Sequence, residues 1–103
     1  MSSMNQSKSH RDSLEDLRRE IDRLDQRLFA LIAKRMAVVK QIGGLKQSQG
    51  LPVSDPVREA LLKASLKEQV SGVLDPWHVE ELASVLLRIS RDLQTQSAKE
   101  PSP

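Results

Sequence analysis

The sequence predicts an all-α protein with three helices per subunit, the first far longer than the other two. Three observations carry that reading. Apolar residues recur at steps of three and four along most of the chain, Asp-Pro pairs open two of these runs, and no stretch carries a strand signal.

The first run has Leu14, Leu17, Ile21, Leu24, Leu28, Leu31, Val38, Ile42 and Leu45 on one seam with heptad spacing, uninterrupted by Pro. Asp12 or Ser13 can cap its start, Glu15 and Asp16 suit the first turn of a helix dipole, and Gly50 and Pro52 mark its end. The second helix opens with Asp55 as N-cap and Pro56 as first helical residue. Val57, Leu61, Leu62, Leu66 and Val70 give it an apolar side, and Ser71-Gly72 ends it. The third opens at Asp75-Pro76 by the same cap logic, with a seam of Val79, Leu82, Leu86, Ile89 and Leu93. From Thr95 the chain turns polar and closes on Pro101-Ser102-Pro103, where fraying is expected. The expected organisation is a flexible tail over residues 1–12, a helical domain over 13–95 and a second tail over 96–103.

The first helix raises a size problem. Roughly 35 residues at about 1.5 Å each give a rod of about 50 Å. A compact chain of this size is only roughly 35 Å across. Two shorter helices cannot cover both ends of the rod, so much of its seam stays wet unless a second chain covers it. The expectation is an obligate homodimer with the long helices paired. A kink at Gly43-Gly44 would shorten only the last turn or two.

Composition narrows the function classes. The chain has 103 residues, 16 Lys+Arg, 14 Asp+Glu, two His and no Cys. That length suits one domain and leaves no room for a second. With 29% charged residues and no apolar run near ~18 residues, no membrane span is expected. The polar stretch Met1 to Ser13 lacks the apolar core of a secretory signal, which makes a cytoplasmic location the expectation. Without Cys there is no disulfide scaffold, thiol nucleophile, thiolate zinc site or iron–sulfur cluster. Phe29 and Trp77 are the only aromatic residues, which weakens a base-stacking role. His10 falls in the tail, His78 reads as a surface or dimer-packing residue and Trp77 as packing. No His/carboxylate cluster has metal-ligand spacing, so no metal is expected.

The net charge of +2 hides a segregated pattern. Six of the 14 acids lie between Asp12 and Asp25, and none lies between Gln26 and Ser54, where Arg27, Lys34, Arg35, Lys40 and Lys46 stand. Such a one-sign stretch is either a solvated basic face or the grip for an anion. Arg35 breaks the seam at a heptad position held elsewhere by Leu or Ile. An arginine there either snorkels out, pairs with an internal carboxylate, or meets a buried anion. Lys46 lies 11 residues on, about three helical turns, and so shares its face. Two cations on a partly buried face with no acid nearby describe a slot for a small anion. Arg18 lies about 25 Å before Arg35 along the helix and could reach the same ligand only across a dimer seam. Taken singly, Arg18, Arg19, Arg23 and Arg27 read as surface salt-bridging residues.

At the second helix start, Asp55, Arg58 and Glu59 put a donor and an acceptor at a helix N-terminus, a setting that favours anions and hydroxyls. Ser90 and Gln94 stand at i, i+4 beside the third seam, where an uncharged polar pair is expected to face water.

Taken together, Leu17-Arg18-Arg19-Glu20-Ile21-Asp22-Arg23-Leu24-Asp25, Ala33-Lys34-Arg35, Ile42-Gly43-Gly44-Leu45-Lys46, Pro52-Val53-Ser54-Asp55-Pro56-Val57-Arg58-Glu59 and Ile89-Ser90-Arg91-Asp92-Leu93-Gln94 resemble the all-helical bacterial chorismate mutases. The resemblance runs from about Leu14 to Gln94. It implies an intertwined homodimer with two active sites, each sharing residues of both chains. It also implies the rearrangement of chorismate to prephenate, a step toward phenylalanine and tyrosine, with no metal and no cofactor. By the same resemblance, Arg35 and the partner subunit's Arg18 would hold the substrate carboxylates, and Lys46 and Gln94 would hydrogen-bond the ether oxygen. Glu59, with the backbone at Asp55, would bind the ring hydroxyl, and Arg58 and Ser90 would complete the pocket. On the chain's length, no attached dehydratase or dehydrogenase domain is expected.

The chemistry of that reaction suits the residues. A unimolecular [3,3] rearrangement needs no nucleophile, acid or base, only a fold that holds a flexible dianion in its reactive shape and stabilises charge on the departing oxygen. Two alternatives remain at this point. One is an isochorismate–pyruvate lyase or an aminodeoxychorismate mutase on the same scaffold, although the Asp55…Arg58-Glu59 segment looks more like the mutases. The other is a non-enzymatic helical dimer whose basic face, Lys34, Lys40 and Lys46, contacts nucleic-acid phosphates. It gives no reason for Arg35 inside the seam. The mutase reading leaves no role for nucleic acid or membrane.

Overall fold

The computed structural model describes the backbone of residues 10–99 and the side chains of residues 13–97. The remaining parts of the expected tails, 1–9 and 100–103, lie outside the described residues. Three helices follow in order: α1, His10–Gln49; α2, Pro56–Gln69; and α3, Pro76–Lys99. No strand occurs among the described residues. Two compact units divide the chain, one up to Arg35 and one from Met36 on, with the boundary inside α1.

Both outer helix ends reach further than the apolar seams suggest. No Gly or Pro interrupts Thr95 to Lys99, and Pro101 is the first residue able to stop α3. Upstream of Ser13 there is likewise no breaker, and Asp12 suits a first turn. Helix α1 runs through Gly43-Gly44 without interruption.

The inner ends follow capping chemistry. Gly50 adopts φ +70° after the last residue of α1, its N–H donates to the Gln47 carbonyl at 3.2 Å, and the Leu51 N–H donates to the Lys46 carbonyl at 2.8 Å. This pair of bonds is the Schellman closure that a residue with positive φ permits. At the head of α2, the Asp55 carboxylate accepts from the Arg58 N–H at 3.2 Å, with Pro56 next in line. At α3 the bond runs the other way from the expected Asp75 cap. The Asp75 N–H donates to Nδ1 of His78 at 3.1 Å, so His78 reaches back as the third-position residue of a capping box does. The Trp77 ring lies 3.8 Å from that of His78, centroid to centroid, and is otherwise largely exposed rather than packed in a core.

In the unit up to Arg35, the seam residues Leu14, Leu17, Ile21, Leu24, Leu28 and Leu31 are all exposed, between 48% and 62%. In the unit from Met36 on, the buried apolar side chains among the described residues are Met36, Val39, Val79, Ala83 and Leu87. They correct the expected seams by one helical step. The buried stripe of α1 is Met36, Val39 and Gly43, with Lys46 half-buried at its end, while Val38, Ile42 and Leu45 stay exposed. The buried stripe of α3 is Val79, Ala83, Leu87, Ser90 and Gln94, while Leu82 and Ile89 stay exposed. Counting large apolar residues picks the greasier face of each helix. The faces that meet are those that carry Gly43 and Ala83.

Gly43 shows why. A Cβ on it would lie 2.7 Å from Cα and 2.8 Å from the carbonyl oxygen of Gln94, both backbone atoms of α3. Only glycine allows that approach, and it fixes which side of α3 turns inward. Helices α2 and α3 are tied at their surface by Glu80, which accepts from Lys63 at 2.7 Å and lies 3.0 Å from Lys67. Lys63 first, then Lys67, holds the Glu80 carboxyl below the usual carboxylate range. The tie is therefore complete at neutral pH and is lost as acidification protonates that carboxyl.

Two adjacent glycines should respond in opposite ways. Gly43→Ala should destabilise the protein by about 1–3 kcal/mol, because backbone atoms cannot yield to the new methyl. Gly44→Ala meets no atom within 4 Å and should stabilise by up to about 1 kcal/mol through helix propensity. Urea unfolding followed by circular dichroism separates the two.

Candidate active site

Of the residues singled out in the sequence, Lys46, Asp55, Arg58, Glu59, Ser90 and Gln94 lie in the unit from Met36 on, and Arg18 and Arg35 in the unit before it. Arg18 is exposed on α1 and Arg35 is half-buried there.

The centre of the first group is a pair joining α1 and α3. Lys46 Nζ donates to Gln94 Oε1 at 2.9 Å and to the Val53 carbonyl at 3.0 Å. The Schellman turn after α1 brings that carbonyl back toward the helix. An ammonium has only donors, so the group of Gln94 that faces it is the carbonyl oxygen. The amide nitrogen of Gln94, with two N–H donors, is thereby turned away from Lys46. The ammonium keeps a third proton beyond its two acceptors. What results is one cation and one neutral amide, each with donors left, in a place where Gln94 is 8% exposed. Low exposure makes such donors stronger toward developing negative charge than they would be in water.

Ser90 is 4% exposed. Its hydroxyl donates to the Leu86 carbonyl at 2.8 Å, and its oxygen lies 3.8 Å from Met36 Sδ. The expectation that Ser90 and Gln94 face water is therefore overturned. Gly43 draws α3 so close that these two polar residues occupy the contact face. Their burial carried a signal in sequence, since Ala83 stands seven residues before Ser90 and marks the stripe of closest approach.

Glu59, half-buried in the first turn of α2, has a partner that sequence reasoning missed. Arg91 Nη1 donates to both of its carboxylate oxygens, at 2.7 and 2.8 Å. Arg91 is next to Ser90 in the chain, but its pairing with a residue 32 positions away has no local signature. The Asp55 side chain is engaged as the α2 cap, and the Arg58 side chain is exposed. Glu59 also borders an open groove of about 460 Å³ shared with Ala60, Lys63, Ala64, Lys67 and Glu80. Among the described residues, no group of three or more His, Asp or Glu stands together as metal ligands would. None of the described helices is long and apolar enough to cross a membrane.

The part-buried cation–amide pair of this all-α unit has the donor chemistry to hold a small anion. Comparison with known proteins identifies the family. Residues 17–95 match the family model for chorismate mutase type II, and the chain belongs to that family. It is 40% identical over 86 residues to the T-protein of Haemophilus influenzae, an alignment covering 82% of this chain and 22% of that one. It is 26% identical over 94 residues to the chorismate mutase of Methanocaldococcus jannaschii, covering 86% of this chain and 91% of that one. A bifunctional chorismate mutase/prephenate dehydratase of Aquifex aeolicus is 40% identical over 48 residues, 47% of this chain and 13% of that protein. The chain thus spans about a fifth of the T-proteins' length and most of the archaeal enzyme's.

Proposed function

We propose that the chain is a chorismate mutase, an isomerase converting chorismate to prephenate on the way to phenylalanine and tyrosine. The observation that carries this reading is the Lys46–Gln94 pair, a half-buried ammonium on a buried amide between α1 and α3 with donor capacity to spare. In the rearrangement the ether C–O bond breaks as a new C–C bond forms, and no proton changes hands. Negative charge grows on the ether oxygen meanwhile. The third proton of Lys46 and the amide N–H of Gln94 meet that charge, and one such donor is typically worth about 10²–10³ in rate. The chain's own residues suffice, with no cofactor.

The remaining roles follow from charge and position. Arg35 and the partner subunit's Arg18 grip the two carboxylates and fold the dianion into its reactive chair-like shape. Glu59 accepts the ring hydroxyl beside the Asp55 backbone, and Arg58 and Ser90 close the pocket. The homodimer in this reading is supported by the exposed seam. Leu14 through Leu45 present an apolar stripe that a second long helix would cover, against only five buried apolar side chains among the described residues of one chain. Such a dimer places its two sites along the paired helices, each using both chains. In this reading the protein works in the cytoplasm and binds neither nucleic acid nor membrane. The basic stretch serves the substrate dianion instead of a polyphosphate.

Purified protein mixed with chorismate should consume the substrate absorbance and form prephenate, and a folded dimer without turnover contradicts the proposal. Gln94→Glu should convert a profile that is flat near neutrality into one that rises as pH falls, because a carboxylate has no proton to donate and regains one only on protonation. Chains carrying Arg18→Ala or Arg35→Ala should each lose activity. Mixed under subunit exchange, they should regain part of it, because one site of each heterodimer holds both arginines. No recovery despite exchange would rule out shared sites.

A further inference from the structure

We propose that Arg91 is a positioning residue for the substrate's ring hydroxyl, acting through Glu59. This inference rests on the mutase reading and on Glu59 as the hydroxyl acceptor. A glutamate in the first turn of a helix has three rotatable bonds and several staggered positions open to it. Arg91 removes that freedom. Its Nη1 lies at nearly equal distances, 2.7 and 2.8 Å, from the two oxygens of Glu59, so it is shared between them and engages one side of the carboxylate. The two lone pairs facing Arg91 are consumed, and the outer one on each oxygen stays available to an incoming donor. The group thus presents one defined edge as acceptor, and a hydroxyl that donates along it finds its partner already oriented.

The placement of Arg91 fits this role. It follows Ser90 and precedes Gln94 by three residues on α3, so the helix that carries the donor for the ether oxygen also carries the residue that orients the acceptor for the hydroxyl. The pair joins α2 to α3 and is the counterpart, across the unit, of the Lys46–Gln94 bond that joins α1 to α3. Arg91 touches no part of the substrate in this account. Its effect is confined to whatever contact Glu59 makes, and this separates it from a residue that merely supports the fold. At 39% and 24% side-chain exposure the pair is partly solvated, and so its value lies in geometry more than in Coulomb energy.

The test compares two ligands of one site: chorismate, and a chorismate analogue lacking the ring hydroxyl, assayed as a competitive inhibitor. Arg91→Ala should raise the KM for chorismate about tenfold, with a smaller change in kcat, as a misaligned outer residue does. The inhibition constant of the hydroxyl-free analogue should stay within twofold of wild type. Arg91→Lys should recover part of the loss, and Arg91→Ala should add nothing in a Glu59→Gln background. If alanine unfolds the chain, Arg91→Met keeps the apolar stem and carries the same comparison. Equal weakening toward both ligands, an unchanged loss in the Glu59→Gln background, or no loss at all overturns the inference. A folded wild-type protein inert toward chorismate overturns the proposed function first, and this inference with it.

Discussion

The contact of α1 with α3 at Gly43 is the constraint on which the rest of the unit depends. The missing side chain lets the Gln94 backbone approach to a distance that no Cβ would tolerate. Once the backbones are that close, the rotation of α3 is no longer free. Gln94 presses its main chain on Gly43 and sends its side chain to Lys46, one turn further along α1. Ser90, one turn earlier on α3, meets Met36 in the same way. Burying a lysine stem, a glutamine and a serine in a small core would be costly if they lacked partners. No buried side-chain nitrogen or oxygen among the described residues is without one.

Helix α1 therefore has two apolar stripes with different tasks. The inner one, Met36, Val39 and Gly43, belongs to the packing of the unit and ends in Lys46. The outer apolar residues are exposed in each unit, Leu14 to Leu31 in the first and Val38, Ile42 and Leu45 in the second. In the proposed dimer that outer stripe is where the second long helix lies, and Arg35 and Arg18 are carried to the substrate from it. The acid-free stretch between Gln26 and Ser54 holds both Arg35 and Lys46, so in that proposal one chain's α1 supplies a cation for a carboxylate and the cation for the ether oxygen, and the partner's α1 supplies the other carboxylate's.

The helix count, the Asp55-Pro56 start, the Gly50 closure and the long first helix could all be read from residues alone, because caps and glycine conformations are local. The rotation of α3 could not. Of its expected seam, Val79 is buried and Leu86 and Leu93 half-buried, but Leu82 and Ile89 face solvent, since close approach is decided by where a small residue lets the backbones meet and not by the sum of hydrophobicity. Arg35 and Lys46 could be singled out from charge and spacing, whereas Ser90 and Gln94 were candidates for the site only through resemblance. Local reasoning placed Ser90 and Gln94 in water, and no rule of spacing predicts that Arg91 pairs with Glu59 from another helix. At the outer ends, the helical residues 10–12 and 96–99 lack the apolar markers on which a periodicity argument depends.

In the proposed reaction Lys46 and Gln94 act together on charge that appears only as the ether bond breaks. A stable bicyclic ether dicarboxylate that imitates the rearranging substrate tests it without requiring turnover. Titration calorimetry should show this mimic binding the wild-type protein, and binding should weaken by about 10²-fold in Lys46→Ala and in Gln94→Ala. Binding of the mimic that is indifferent to both substitutions would contradict the account.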